Sequence, residues 1–230
     1  MNLFHQSNLR EFLINELKLF LKINLNTMKK ISLYITFIFL SATSQLYAQK
    51  IKDNFDVIAK EEIGDLNKDK KNDRVLVQMD VKSDTRPLRL QIFLSQSNSK
   101  DLKLAVSSTQ IIESQYPIEK KGEHSDGTIP DFFVEDGNLQ MLTDKNDLKS
   151  RYTFRFKNGN FELTNISRVI WDGKNKTSET KIDLLTGTKI EFDQELGSDK
   201  ILNKRKSQLK ISSLPKIQDL KFSDLENYWF

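Results

Sequence analysis

The sequence predicts a mainly β protein, an antiparallel meander, sandwich or half-barrel of about eight to ten short strands, helical only in an N-terminal leader. Two observations carry this. Apolar and polar residues alternate with period two along several runs, most clearly where Val75, Val77, Met79 and Val81 interleave with Leu76, Gln78 and Asp80. Turn residues recur roughly every eight to twelve positions, among them Asp136-Gly137, Asn158-Gly159 and Thr186-Gly187.

Taken in order, Lys50 to Ile63 leads in, and Phe55 to Lys60 reads as a short strand. A polar stretch from Gly64 to Asp73 precedes the strand at Val75–Val81. Ser83 to Pro87 turns the chain, and Pro87 suits a strand's first position because it has no N–H to give to a ladder. Leu88, Leu90, Ile92 and Leu94 form the next apolar face; after Gln96–Lys100, Leu102, Leu104 and Val106 form a third. Gln115 to Pro130, with Pro117, Gly122, Gly127 and Pro130 among charges, reads as a long surface loop.

Phe132–Val134 and Leu139–Leu142 flank Asp136-Gly137, a hairpin signal because both turn residues tolerate positive φ. Tyr152, Phe154 and Phe156 alternate with Thr153 and Arg155, and the turn at Lys157–Asn160 leads into a return strand from Phe161 toward Trp171. Asp172–Asn175 turns again, and Thr180–Leu185 and Thr188–Phe192 make another hairpin. After Leu196 the chain becomes basic and polar through Lys204-Arg205-Lys206, and it ends in Tyr228-Trp229-Phe230. No strict repeat is visible, which disfavours a propeller. Trp171 and Trp229 read as core residues rather than sugar-stacking surfaces.

Met28-Lys29-Lys30, the apolar run Ile31–Leu40 and the small residue Ala48 ahead of Gln49 have the layout of a secretory signal peptide. The organisation expected is therefore an extension over residues 1–27, outside the native reading frame, a signal over 28–48, and a single secreted or periplasmic β-rich domain over 49–230. The apolar run is short of the roughly twenty residues that span a bilayer, so no stable membrane insertion is expected after cleavage. Without residues 1–48 the formal charge falls from +4 to +1. Acids and bases then intersperse along the chain, which gives no reason to expect nucleic-acid binding. The absence of cysteine excludes disulfides, thiol catalysis and cysteine-held metal.

One stretch carries candidate ligands. Asp65, Asn67 and Asp69 stand at alternate positions, the backbone carbonyl of Lys71 follows, and Asp73 closes the loop. Calcium takes six to eight oxygens, and acidic and amide side chains at alternate positions can supply them. The D-x-N-x-D-x-x-x-D spacing between Gly64 and a β strand resembles the calcium loops of integrin-type FG-GAP repeats and, less closely, of dockerins. That resemblance implies an oxygen-liganded calcium in a strand–loop–strand turn, and no enzymatic activity. Where those loops carry glycine at the sixth position this chain has Lys70, and a left-handed backbone there would cost roughly 1–2 kcal/mol. Leu76 takes the place of an EF-hand's terminal glutamate.

Leu88–Ser95, Leu102–Val106, Tyr152–Leu163 and Ile182–Lys189, together with the Asp65 loop, resemble uncharacterised secreted proteins of Bacteroidetes-type bacteria. The resemblance implies compartment and fold, and no activity.

Catalytic signals are lacking. His124, Ser125 and Asp126 are adjacent, and neighbours in sequence point apart rather than converge as a triad does. There is no Gly-x-Ser-x-Gly elbow, no His-Glu-x-x-His and no phosphate-cradling glycine loop. The expected function is that of a non-catalytic binding or interaction module for an unidentified protein or glycan, with calcium as candidate cofactor. The alternative is a hydrolase with an unrecognised carboxylate site, for which Asp144 and Asp147 are one conceivable pair.

Overall fold

The computed structural model describes residues 15, 16, 18, 53–121, 123–125 and 127–227. The chain divides into two units, Met1–Asp53 and Asn54–Phe230. In the first, Asn15, Glu16 and Lys18 are helical and exposed; the expected signal at 28–48 lies outside the described residues, as do Asp126 and Trp229. Among the described residues no helix is long and apolar enough to cross a membrane.

Among the described residues, the second unit is built from eleven strands in two antiparallel sheets. The first sheet holds β1 (Val57–Gly64), β2 (Asp73–Met79), β3 (Leu88–Gln96) and β4 (Ser99–Ser108) in sequence order. The second holds β5 (Asp131–Glu135), β6 (Asn138–Lys145), β7 (Leu148–Lys157), β8 (Asn160–Trp171), β9 (Lys176–Asp183), β10 (Thr188–Glu195) and β11 (Ile201–Gln208). Every strand of this sheet pairs with its sequence neighbours, so the order is a plain meander from β5 to β11. No closed barrel forms. The expectation of a mainly β, antiparallel architecture holds.

Three hairpins of the second sheet turn through two residues that both have positive φ: Asp136-Gly137 (51° and 71°), Asn146-Asp147 (51° and 62°) and Asn158-Gly159 (50° and 78°). This is the turn whose twist matches that of the flanking strands, and Asn, Asp and Gly are the residues that accept it. Register follows from the turns, and register decides faces. Across the second sheet Phe132, Met141, Tyr152, Ile166 and Ile182 stand opposite one another in turn and point inward. They pack with Val75, Val77, Leu90, Ile92 and Val106 of the first sheet in one buried cluster. The same inward row continues as Lys189 and Ser207 on β10 and β11, so the core ends at β9 and the last two strands overhang it.

The chain after β11 returns as a strap. The Leu163 amide donates to Pro215 O at 2.8 Å and the Phe222 amide to Gln110 O at 2.8 Å, while Ile217, Leu220 and Leu225 are buried. The strap ends in a short helix, α1 (Phe222–Asn227), an addition to the expectation of helix only in the leader. Asp224 Oδ2 accepts the Lys221 amide at 2.8 Å, half of a capping box, and Leu225 plugs the core. Arg168 Nη2 donates to the carbonyls of Leu225 and Glu226 at 2.6 and 3.0 Å, satisfying the last turn.

The basic segment after Leu196, to which the sequence pattern assigns no element, contains β11, a strand of mostly exposed residues held by its ladder to β10. One further expectation changes. Trp171 is 51% exposed and not core, because β8 runs past the core; its Nε1 donates to Lys174 O at 3.2 Å.

Candidate functional site

The Asp65–Asp73 loop links β1 to β2 and is closed by its own side chains. Asp65 Oδ1 accepts the Asp69 amide at 3.1 Å and Oδ2 accepts the Lys70 amide at 2.8 Å. Asn67 Oδ1 accepts the same Asp69 amide at 3.0 Å, so the Asp65 and Asn67 oxygens converge on one point. Asp69 in turn accepts the Lys71 amide at 2.9 Å, Asn67 Nδ2 at 3.3 Å and Ser95 Oγ at 3.1 Å. Partial desolvation raises the pKa of the Asp65 carboxyl, but the amides of Lys70, Lys68, Asp69 and Asn67 outweigh it and hold the group below the usual carboxylate range.

Two residues of the loop are left-handed, Lys68 at φ 64° and Lys70 at φ 66°. The backbone therefore makes its sharp turn at the position where glycine was expected to matter, and does so with lysine. The lysine side chains leave the loop. Lys71 Nζ donates to Gln96 O at 2.9 Å, and Lys68 lies against the Asp136-Gly137 turn.

Asp73 sits beneath the loop. It is 1% exposed, and its two oxygens accept the Leu66 and Ser95 amides, each at 2.8 Å. It pins the loop to both β2 and the end of β3. The side-chain donor set at the mouth is all oxygen, as a hard cation requires: the Asp65 and Asp69 carboxylates and the Asn67 amide. Among the described residues no three acidic or histidine side chains are grouped closely enough to hold a metal by themselves. A cation here would rely on Asn67, peptide oxygen and water as well as on Asp65 and Asp69.

A second feature was invisible in the sequence. The outer face of the second sheet is hollowed into two adjoining depressions of about 570 and 370 Å³, which share Arg151, Ser167 and Lys181. These three residues stand opposite one another on β7, β8 and β9. The row they belong to runs Asp131, Leu142, Arg151, Ser167, Lys181, Ile190, Lys206 across all seven strands. The adjacent row runs Phe133, Gln140, Thr153, Asn165, Asp183, Thr188, Gln208.

No family model, no curated protein and no solved structure matches this chain.

The remaining sequence candidates are dispersed. His124 Nδ1 lies 2.7 Å from Ser125 O and its ring stands edge-on to Tyr116, while Ser125 Oγ donates to Glu113. Glu113 is paired with Lys145 at 3.2 Å, and Lys145 also reaches Glu226 at 2.9 Å and stands over the Phe222 ring. This group clamps the long loop and α1 onto β6. Asp144 pairs with Lys149 at 3.7 Å, and Asp147 occupies the left-handed hairpin turn.

Proposed function

We propose that this protein is a secreted or periplasmic, non-catalytic β domain that serves as an interaction module through the outer face of its second sheet. The observation that carries this reading is the pair of depressions centred on Arg151, Ser167 and Lys181. A wide, open hollow on the face of a sheet, lined by charged, polar and apolar side chains together, suits an extended partner, protein or glycan, more than a small enclosed substrate. The carboxylates that line it favour binding over hydrolysis. Asp131 is tied to Lys60 at 2.6 Å, Asp144 to Lys149 at 3.7 Å, and Asp183 to the Leu185 amide at 2.8 Å and the Thr186 hydroxyl at 2.9 Å, so the three are held on separate partners and not as a facing pair. Compartment rests on the signal layout at 28–48, and the kinship to secreted proteins of Bacteroidetes-type bacteria belongs to the same proposal.

Calcium enters this reading as a stabiliser of the β1–β2 loop, held by Asp65, Asn67, Asp69 and the Lys71 carbonyl, with Asp73 securing the base. The left-handed backbone at Lys70 supports it. Bound there, the ion would neutralise the clustered carboxylates and stiffen the loop.

Two experiments test the reading. Glycan and peptide arrays are probed with the full chain and with Ser167→Trp, which fills the hollow. Binding that the tryptophan variant loses is the expected outcome, and binding that it retains removes the outer face from the function. Melting curves in millimolar calcium and in chelator test the metal, and superimposable curves end the calcium proposal.

A further inference from the structure

Among the described residues, the row Arg151–Ser167–Lys181–Ile190–Lys206 places a cation on every second strand from β7 to β11. Neighbouring strands lie about 4.8 Å apart, so the backbone positions of the three cations recur at roughly 10 Å across the sheet. Arg151 and Lys206 have no acidic partner among the described residues, and Lys181 is paired only with Glu179 at 3.4 Å while standing 5.0 Å over the Phe192 ring. Asp183, the acid beside this row, is turned to its own loop: its Oδ1 accepts the Leu185 amide at 2.8 Å and its Oδ2 the Thr186 hydroxyl at 2.9 Å.

The parallel row runs Thr153, Asn165, Asp183, Thr188 and Gln208, hydroxyls and amides with one carboxylate among them; Thr153 Oγ1 donates to Gln140 Oε1 at 2.8 Å and Gln208 Nε2 to Thr186 O, which leaves their oxygens to accept. Further along β8 the same face presents Trp171, half exposed and oriented by its bond to Lys174 O, an apolar plate with one polar edge.

Resting on the interaction-module reading, we propose that this face binds a linear acidic glycan with a carboxylate on alternate sugars. In an extended polysaccharide a disaccharide is about as long as two strand spacings. Each carboxylate can then meet one cation of the row, the intervening sugars' hydroxyls face Asn165 on β8 and Thr188 on β10, and Thr153 and Gln208 stand beside the two end cations. An acidic peptide has its side-chain charges at a different pitch and no hydroxyl ladder to satisfy the second row.

The test titrates the full chain by calorimetry with three probes: hyaluronan, its carboxyl-reduced form, and poly-L-glutamate. It is repeated with Arg151→Gln, Lys181→Gln and Lys206→Gln combined, exposed or edge changes whose folding is checked by melting. The expected result is hyaluronan binding that weakens roughly tenfold or more in the triple variant and with added salt, and that vanishes for the carboxyl-reduced polymer. Equal binding of the reduced polymer, or unchanged affinity in the triple variant, overturns the proposal. Poly-L-glutamate binding as tightly as hyaluronan, and lost in the triple variant, overturns the glycan assignment while leaving the outer face as an interaction surface. No binding of any probe overturns the glycan assignment, and the Ser167→Trp array result then decides the broader reading separately.

Discussion

Val134 occupies the space that a side chain on Gly64 would need: a Cβ built on Gly64 would fall 2.6 Å from Val134 Cβ and 2.8 Å from its Cγ1. The end of β1 and the middle of β5 therefore meet in direct contact across the seam between the two sheets. The seam is completed by the Lys60–Asp131 pair at 2.6 Å and by the Val134 amide donating to Glu62 Oε1 at 3.4 Å.

Gly64→Ala forces this seam apart and is expected to lower stability by about 2–3 kcal/mol, as overpacked cores do. Gly159→Ala is the matched control. That position is left-handed at φ 78° with nothing within 4 Å of the added methyl, so only backbone strain of about 1 kcal/mol applies. Chemical denaturation of both variants checks the order. A Gly64→Ala protein no less stable than Gly159→Ala shows that the seam yields without loss.

Asp73 is the loop's buried acceptor. Asp73→Ala leaves the Leu66 and Ser95 amides without a partner in a nearly water-free site and is expected to cost about 3 kcal/mol. Asp73→Asn keeps one acceptor oxygen and should lose about half of that. Hydrogen exchange at Leu66 and Ser95 reports the same event locally; protection that survives in the alanine variant means that another group satisfies those amides.

Lys70 holds φ at 66° without glycine's freedom. Lys70→Gly relieves about 1–2 kcal/mol of strain and gives back part of it as unfolded-chain entropy, for a net gain of about 0.5–1 kcal/mol. The gain should be present in chelator, because it arises in the backbone and not from a metal. A variant that melts at or below the parent temperature in chelator shows an unstrained Lys70.

The acid limb of stability has identifiable sources. The Lys174 and Lys176 amides hold the Asp172 carboxyl below its ordinary value of 3.8, and Asn203 and Ser178 do the same for Asp193. A lowered folded pKa means that the unfolded chain binds protons first as pH falls. The contribution is present above about pH 4 and is lost as pH drops through the lowered folded values. Asp172→Asn combined with Asp193→Asn should flatten melting temperature against pH below about pH 4. Parallel curves for parent and double variant would assign the acid limb to other groups.

The inner strands could be read in the sequence because burial on one face imposes alternation, as at Val75, Val77, Leu90 and Ile92. Where the sheet overruns the core that selection disappears. Ile201–Gln208 has solvent on both faces, so nothing marks it as a strand except its pairing with β10. Trp171 misleads for the same reason: an apolar strand end implies core only if another layer lies over it. The Asn146-Asp147 turn lacks glycine and escapes notice, although both residues accept left-handed backbone. In the loop, the oxygen-bearing positions and the strained Lys70 were legible from spacing. The inward turn of Asp73 was not, since its amide partner Ser95 comes from β3. The Arg151–Lys181–Lys206 row depends on the register of four successive hairpins, which no local pattern encodes.

The unbroken meander from β5 to β11 has a kinetic meaning. Each strand can add to a partner that left the chain only a few residues earlier, so growth of the large sheet requires closing only short loops. Three of its turns are pre-shaped for the hairpin, and these are natural points for it to begin. The contacts that join distant parts of the chain are those between the sheets and those of the strap, Gly64 with Val134 and Phe222 with Gln110. The slow step of folding is therefore expected to be the docking of one preformed sheet on the other, with the strap locking last.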